Sequence, residues 1–133
     1  MKNLIWTDNL NTGIDVIDNQ HKRIVDYINK LYHVHNNNAG KVAMKDVIDE
    51  LVDYTLTHFA FEEGMLDDYH YARLDEHKAL HEQFAAQVRE LRDRFDASES
   101  ASVELNNLMV TWLFNHILHE DAKYVPVVPK SKH

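Results

Sequence analysis

Apolar residues recur at intervals of three and four along most of this chain, the spacing that gathers side chains on one face of a helix. Ile17, His21, Ile24, Ile28 and Leu31 make the first such stripe, which runs out between Asn36 and Gly40, where the glycine is expected to end the helix. A second helix starts near Lys41 with the face Met44, Ile48, Leu51, Thr55, His58, Glu62 and Met65, and stops around Asp67 to Tyr69. The third runs from about His70 through Leu74, His77, His81, Phe84, Val88, Leu91 and Phe95. Asp96 and Glu99 have the spacing of a capping box and open a fourth helix, with Ser98 and Ser100 as equally good starts. That helix continues through Leu105, Met109, Trp112 and His116 toward Tyr124, and Pro126 and Pro129 end it. Residues 1 to about 16 lack the rhythm and read as an extended arm, with Trp6, Leu10 and Ile14 placed to cover the open end of a bundle. Four helices of about 20–25 residues, each on the order of 30–37 Å long, joined by short turns, predict an all-α, up-down-up-down four-helix bundle.

Composition narrows the chemistry. A length of 133 residues suits one domain with a real core. No cysteine is present, which removes disulfides, iron–sulfur clusters and zinc-thiolate sites. A formal net charge of -8 disfavours a nucleic-acid or anionic-membrane surface. Neither a leader peptide nor a membrane-spanning run is visible, so a cytoplasmic location is expected. Ten histidines are unusual for this length, and they are spread along the chain rather than bunched at one end.

Several of these histidines fall on the apolar stripes. His58 and Glu62 are spaced i,i+4, as are His77 and His81, so each pair stacks on one helix face. An unpaired ionised group in such a stripe would be buried at great cost. Connectivity brings these positions together: His21 is early in helix one, His58 and Glu62 late in helix two, His77 and His81 early in helix three, and His116 late in helix four. At about 1.5 Å per residue, all lie within roughly 6–16 Å of the same end of the bundle. Five imidazoles and a carboxylate, with Glu120 and Asp121 as candidates for a second, are too many donors for one tetrahedral zinc and suit two adjacent metals. No Glu has a His three positions later, which disfavours the carboxylate-rich ferritin-like pattern. On an ideal helix Glu120 lies about 40° from His116 and Asp121 about 140° away, so geometry alone favours Glu120. Glu63, about 100° round from Glu62, is expected to contribute little.

The segments Asp18 to His21, His58 to Glu63, His77 to Phe84 and Trp112 to Asp121 together resemble the hemerythrin family, specifically its single-domain bacterial members. The resemblance covers nearly the whole chain and implies one di-iron domain over residues 1–133. It implies two iron ions bridged by an oxo or hydroxo group. His77, His81 and His116 would hold one iron, His21 and His58 the other, with an open position there, and Glu62 and Asp121 would bridge. Choosing Asp121 over Glu120 requires a distorted turn in helix four, or a helix leaning so that Asp121 reaches across. Two departures stand out: His70 occupies a place where the family often has proline, and His119 adds an imidazole near the site. The resemblance implies reversible dioxygen binding, as a carrier, store or delivery protein and not an enzyme. Ile24, Phe59, Trp112, Leu113 and Ile117 are expected to wall the oxygen pocket, and His119 either supports the site or its entrance or is a partly exposed histidine near the helix end. A di-iron enzyme handling peroxide or nitric oxide, and an oxygen- or iron-sensing module acting through a partner, are the rival readings. Dioxygen is the expected ligand and an oxygen-consuming enzyme the partner that delivery would need. With no spare apolar face in the stripes, a monomer is expected.

Overall fold

The computed structural model describes residues 1, 3–95 and 100–129. Four helices carry the fold: α1 (Asp15–Asn36), α2 (Lys41–Asp68), α3 (Leu74–Phe95) and α4 (Ser100–Asn115). Each packs on the next, and α4 returns to α1, which closes the bundle. The expected capping box at Asp96 to Glu99 lies outside the described residues. Helix α4 does not run on to Tyr124 as one α-helix. It passes into a π turn over His116–Glu120 and then a 3-10 turn over Asp121–Lys123.

Two helix ends differ from expectation for the same reason. Helix α1 is closed by Asn38, which takes the left-handed conformation (φ 51°) so that Ala39 N donates to Val34 O and Asn38 N to His35 O. Gly40, expected to break α1, instead starts α2 at φ 96°. Helix α2 ends with the same pair of reversed bonds, Tyr71 N to Leu66 O and His70 N to Asp67 O, with His70 at φ 54°. Helix α3 therefore begins at Leu74 and not at His70. The reversal at His70 turns Tyr71 inward, where it is buried.

The N-terminal arm is tied down rather than loose. Asn29 of α1 brackets Leu4, its Oδ1 accepting from Leu4 N (2.7 Å) and its Nδ2 donating to Leu4 O (2.8 Å), as a neighbouring strand would. A 3-10 turn over Asp8–Leu10 breaks the expected extended path and lies against the π turn. Asp18, buried in the first turn of α1, accepts from Thr12 N (2.8 Å), Thr12 Oγ1 (2.8 Å) and Gly13 N (3.0 Å). Leu10 joins the main core, Trp6 packs half-buried on its edge, and Ile14 joins a separate cluster with Ile17, Leu66, Tyr71, Tyr124 and Val128. That smaller cluster plugs the end of the bundle at which α1 begins and α2 finishes.

Three hydrogen bonds to a charged acceptor anchor the arm through Asp18. Replacing Asp18 by Ala should cost about 2–4 kcal/mol, since bonds to a charged group contribute roughly 1.5–3 kcal/mol each and do not sum. Urea denaturation of the variant should give a lower midpoint at an unchanged slope; an unaltered midpoint would mean that the arm is held elsewhere.

Candidate metal centre

Between the main core and the plug lies a layer of polar side chains supplied by every helix. His21 comes from α1, His58 and Glu62 from α2, His77 and His81 from α3, and His116 and Asp121 from the two ends of the π turn. None of the seven is more than 5% exposed. All seven sequence candidates, on four different helices, therefore converge.

The conflict between Glu120 and Asp121 is resolved by the π turn. In a π turn the residue five positions on, not four, bonds back across one turn, and Asp121 N donates to His116 O. Asp121 thus stands one turn above His116 and is fully buried. Glu120 faces the surface and pairs with Lys123 (3.2 Å). His119 is exposed, as the second of its two expected places has it: the turn that carries Asp121 inward leaves His119 on the outside.

The two carboxylates divide the layer into halves. Glu62 Oε1 lies 2.5 Å from His77 Nε2 and 3.2 Å from His81 Nε2, while Glu62 Oε2 lies 3.4 Å from His58 Nε2 and 4.0 Å from His21 Nε2. Asp121 repeats the division, with Oδ1 3.1 Å from His116 Nε2 and 3.3 Å from His77 Nε2, and Oδ2 3.2 Å from His21 Nε2. In the larger half His116 Nε2 lies 3.1 Å from His81 Nε2 and 3.3 Å from His77 Nε2. Two nitrogens each about 2.1 Å from one ion and at right angles to each other would be about 3 Å apart. Both Asp121 oxygens, though within 3.3 Å of imidazole nitrogens, make no hydrogen bond among the described residues. The inner nitrogens and the carboxylate oxygens thus crowd one small shared space, as the ligands of a metal do. Two sets meet this test, one of Glu62, His77, His81 and His116, the other of His21, His58 and Glu62, with Glu62 in both.

Electrostatics agree with the geometry. Burial opposes charge on Glu62, but the imidazoles of His58, His77 and His81 outweigh it and hold the carboxyl well below its usual range. Asp121 is likewise held low against burial and the neighbouring Glu62, by His116, His21 and His77. Burial lowers His77 too, yet Asp121 and Glu62 overcome it and raise the ring to about 9. His21 is also raised, burial again being overcome, here chiefly by Asp121, whereas at His58 burial prevails and the shift is downward. Two ionised carboxylates in a dry layer thus draw positive charge toward themselves. Nitrogen and carboxylate donors without thiolate suit iron.

Around this layer the chain supplies supports that periodicity did not reveal. His58 Nδ1 meets Gln20 Oε1 (2.6 Å), His81 Nδ1 meets Glu63 Oε2 (3.0 Å), and Tyr124 Oη donates to Glu62 Oε2 (3.0 Å). Burial pushes the Tyr124 hydroxyl up, and the two carboxylates add to this, so it stays a donor. Glu63 is therefore not the idle neighbour of Glu62 that a single helix wheel implies. The one available signal was adjacency, since Gln20 and Glu63 each sit next to a candidate ligand in sequence. Phe59 stacks on His81 (centroids 3.9 Å apart, 8° between planes) and Trp112 on His116 (4.1 Å, 13°), so two rings of the larger half are clamped. Ile24 and Leu113, each one turn from a candidate ligand, and Ile117 are buried nearby. A groove of about 600 Å³ over the end plug, lined by Ile14, Val16, Phe61, Met65 and Tyr69 among others, includes none of the seven.

Comparison with known proteins gives the same picture. The hemerythrin HHE cation binding domain matches residues 12–128. Bacteriohemerythrin of Pseudomonas aeruginosa is 53% identical over 98% of this chain and 85% of its own length. Myohemerythrin of Riftia pachyptila is 31% identical over 90% of this chain and 89% of its own. The crystal structure of a wild-type hemerythrin superposes with a TM-score of 0.83 at 31% identity, covering 94% of this chain and 97% of that one. With a family match spanning nearly all of the bundle and half of its residues shared with a bacterial relative, the chain belongs to the hemerythrin family.

Proposed function

We propose that the protein binds dioxygen reversibly, as a carrier, store or delivery protein and not as an enzyme, with the seven buried residues as ligands to two irons. As a hemerythrin it is an oxygen-binding non-haem di-iron protein. The observation that carries the finer reading is the unequal division of donor atoms by Glu62 and Asp121. His77, His81 and His116 would hold one iron and His21 and His58 the other, with Glu62 and Asp121 facing both, so that the second iron would have fewer protein donors. The irons supply, when bound, the electrons and the open position that reversible oxygen binding needs.

The chain's own residues do the rest. Tyr124 fixes the plane of Glu62 through its hydroxyl, and Phe59 and Trp112 hold His81 and His116 by stacking. Ile24, Phe59, Leu113 and Ile117, with half-buried Trp112, exclude water from the layer. Water exclusion favours binding over turnover, because protons that would complete the reduction of oxygen are kept out. Among the described residues no helix is long and apolar enough to cross a membrane. The same reading takes residues 1–133 as one domain, monomeric and cytoplasmic, passing dioxygen to an oxygen-consuming enzyme.

Anaerobic reduction followed by oxygen should produce a visible absorption band that degassing removes through repeated cycles. Irreversible bleaching after the first exposure would contradict reversible binding. Replacing Glu62 by Ala removes a ligand shared by both irons and should lower the iron content sharply below two per chain. An iron content of two with an unchanged spectrum would refute the bridging role. On the fourth helix, Asp121→Ala should lose iron while Glu120→Ala retains it; the reverse would assign the second bridge to Glu120.

A further inference from the structure

Behind the ligand layer, the outer nitrogens of the imidazoles are held unequally. His81 Nδ1–H donates to the carboxylate of Glu63 (3.0 Å), whereas His58 Nδ1–H donates to the neutral amide oxygen of Gln20 (2.6 Å). His21 Nδ1 is buried without a hydrogen-bond partner among the described residues. The pattern crosses the bundle stepwise. Gln20, beside His21 on α1, reaches a ring on α2; Glu63, beside Glu62 on α2, reaches a ring on α3. What accepts the outer N–H controls how strongly the inner nitrogen donates. A carboxylate draws the proton toward itself and leaves Nε2 richer in electrons, a neutral amide does so less, and an unpartnered ring gains nothing. A richer donor favours the more highly charged ion. In the three-histidine half a carboxylate thus stands behind His81, and in the two-histidine half a neutral amide stands behind His58.

We propose that Glu63 and Gln20 are positioning residues that set unequal reduction potentials in the two halves of the centre, Glu63 favouring ferric iron beside His81 and Gln20 keeping the iron beside His58 ferrous. This rests on the reading of His58 and His81 as ligands to different irons. Neither residue touches a metal; each acts through the ring it holds. The electron concerned leaves one iron, Fe(II) becoming Fe(III), and passes to the oxidant, which in a titration is the mediator dye. An iron that is ferrous and five-coordinate is the one able to take oxygen, so the amide protects the open position from premature oxidation.

The test is a mediated redox titration of the iron-loaded protein, followed in the visible spectrum, with iron content measured alongside. Parent protein, Glu63→Gln and Gln20→Glu are compared. Both substitutions keep side-chain size and a hydrogen-bond acceptor. Glu63→Gln should move the midpoint to more positive potential, and Gln20→Glu to more negative, each by about tenfold in the ratio of oxidised to reduced iron, or about 59 mV for one electron. Two irons retained with unmoved midpoints, or midpoints displaced in the same direction, would overturn the proposal, the latter because loosened packing has no sign. Should Glu63→Gln lose iron, Gln20→Glu decides alone: a negative displacement supports the proposal and any other result overturns it. A parent protein without two irons would instead defeat the ligand assignment, and this inference with it.

Discussion

Two carboxylates, Glu62 and Asp121, stand fully buried in the middle of a helical bundle, and most of what is distinctive in this chain answers that fact. An isolated ionised carboxylate in an apolar interior is so unfavourable that it is neutralised or paired. Here each stays ionised because three imidazoles face it, and every helix must contribute for that to happen. The polar layer is therefore a crossing point of the whole fold. It separates the main core from the end plug of Ile14, Ile17, Leu66, Tyr71, Tyr124 and Val128, and both apolar clusters keep water from it. Pairing alone does not make such a layer stable, since buried ion pairs often gain less than they lose in desolvation. Cations between the donors would complete the layer, because among the described residues the Asp121 oxygens come near nitrogens without a hydrogen bond to any.

Periodicity made much of this legible. His21, His58, Glu62, His77, His81 and His116 lie on the stripes that also carry the core, and the alternation of helix direction was enough to bring them to one end. What could not be read is instructive. Asp121 sits on the wrong side of an ideal wheel, and no residue type marks a π turn, so the fully buried carboxylate of helix four was found through resemblance rather than through spacing. The start of α3 lies later than the stripe suggests because His70 takes the left-handed position that glycine usually holds, and histidine tolerates that conformation no more distinctively than Asp67 and Asp68 just before it. Glu63 was discounted because a wheel considers one helix at a time, and its partner His81 is on the next.

The supports outside the layer link stability to function. The arm held by Asn29 and Asp18 brings Ile14 over the plug and leads directly into the turn of α1 that carries Gln20 and His21. The reversal at His70 places Tyr71 in the same plug, beside Tyr124, whose hydroxyl orients Glu62. Stacking of Phe59 and Trp112 restricts the three-histidine half, while His21 and His58 meet edge to face at 4.7 Å. The half clamped by aromatic rings is thus the one with three histidines, and the half with two is held by Gln20 and by the contact between its own rings.

The central claim is that Glu62 and Asp121 are shared between two irons rather than serving one each. Mössbauer spectroscopy of the oxidised protein loaded with isotopically enriched iron tests it most directly. The expected result is two irons per chain in different environments, with their spins coupled through the bridges so that the pair is diamagnetic at low temperature. A single environment, or two irons each showing the magnetic splitting of an isolated high-spin ferric ion, would contradict it.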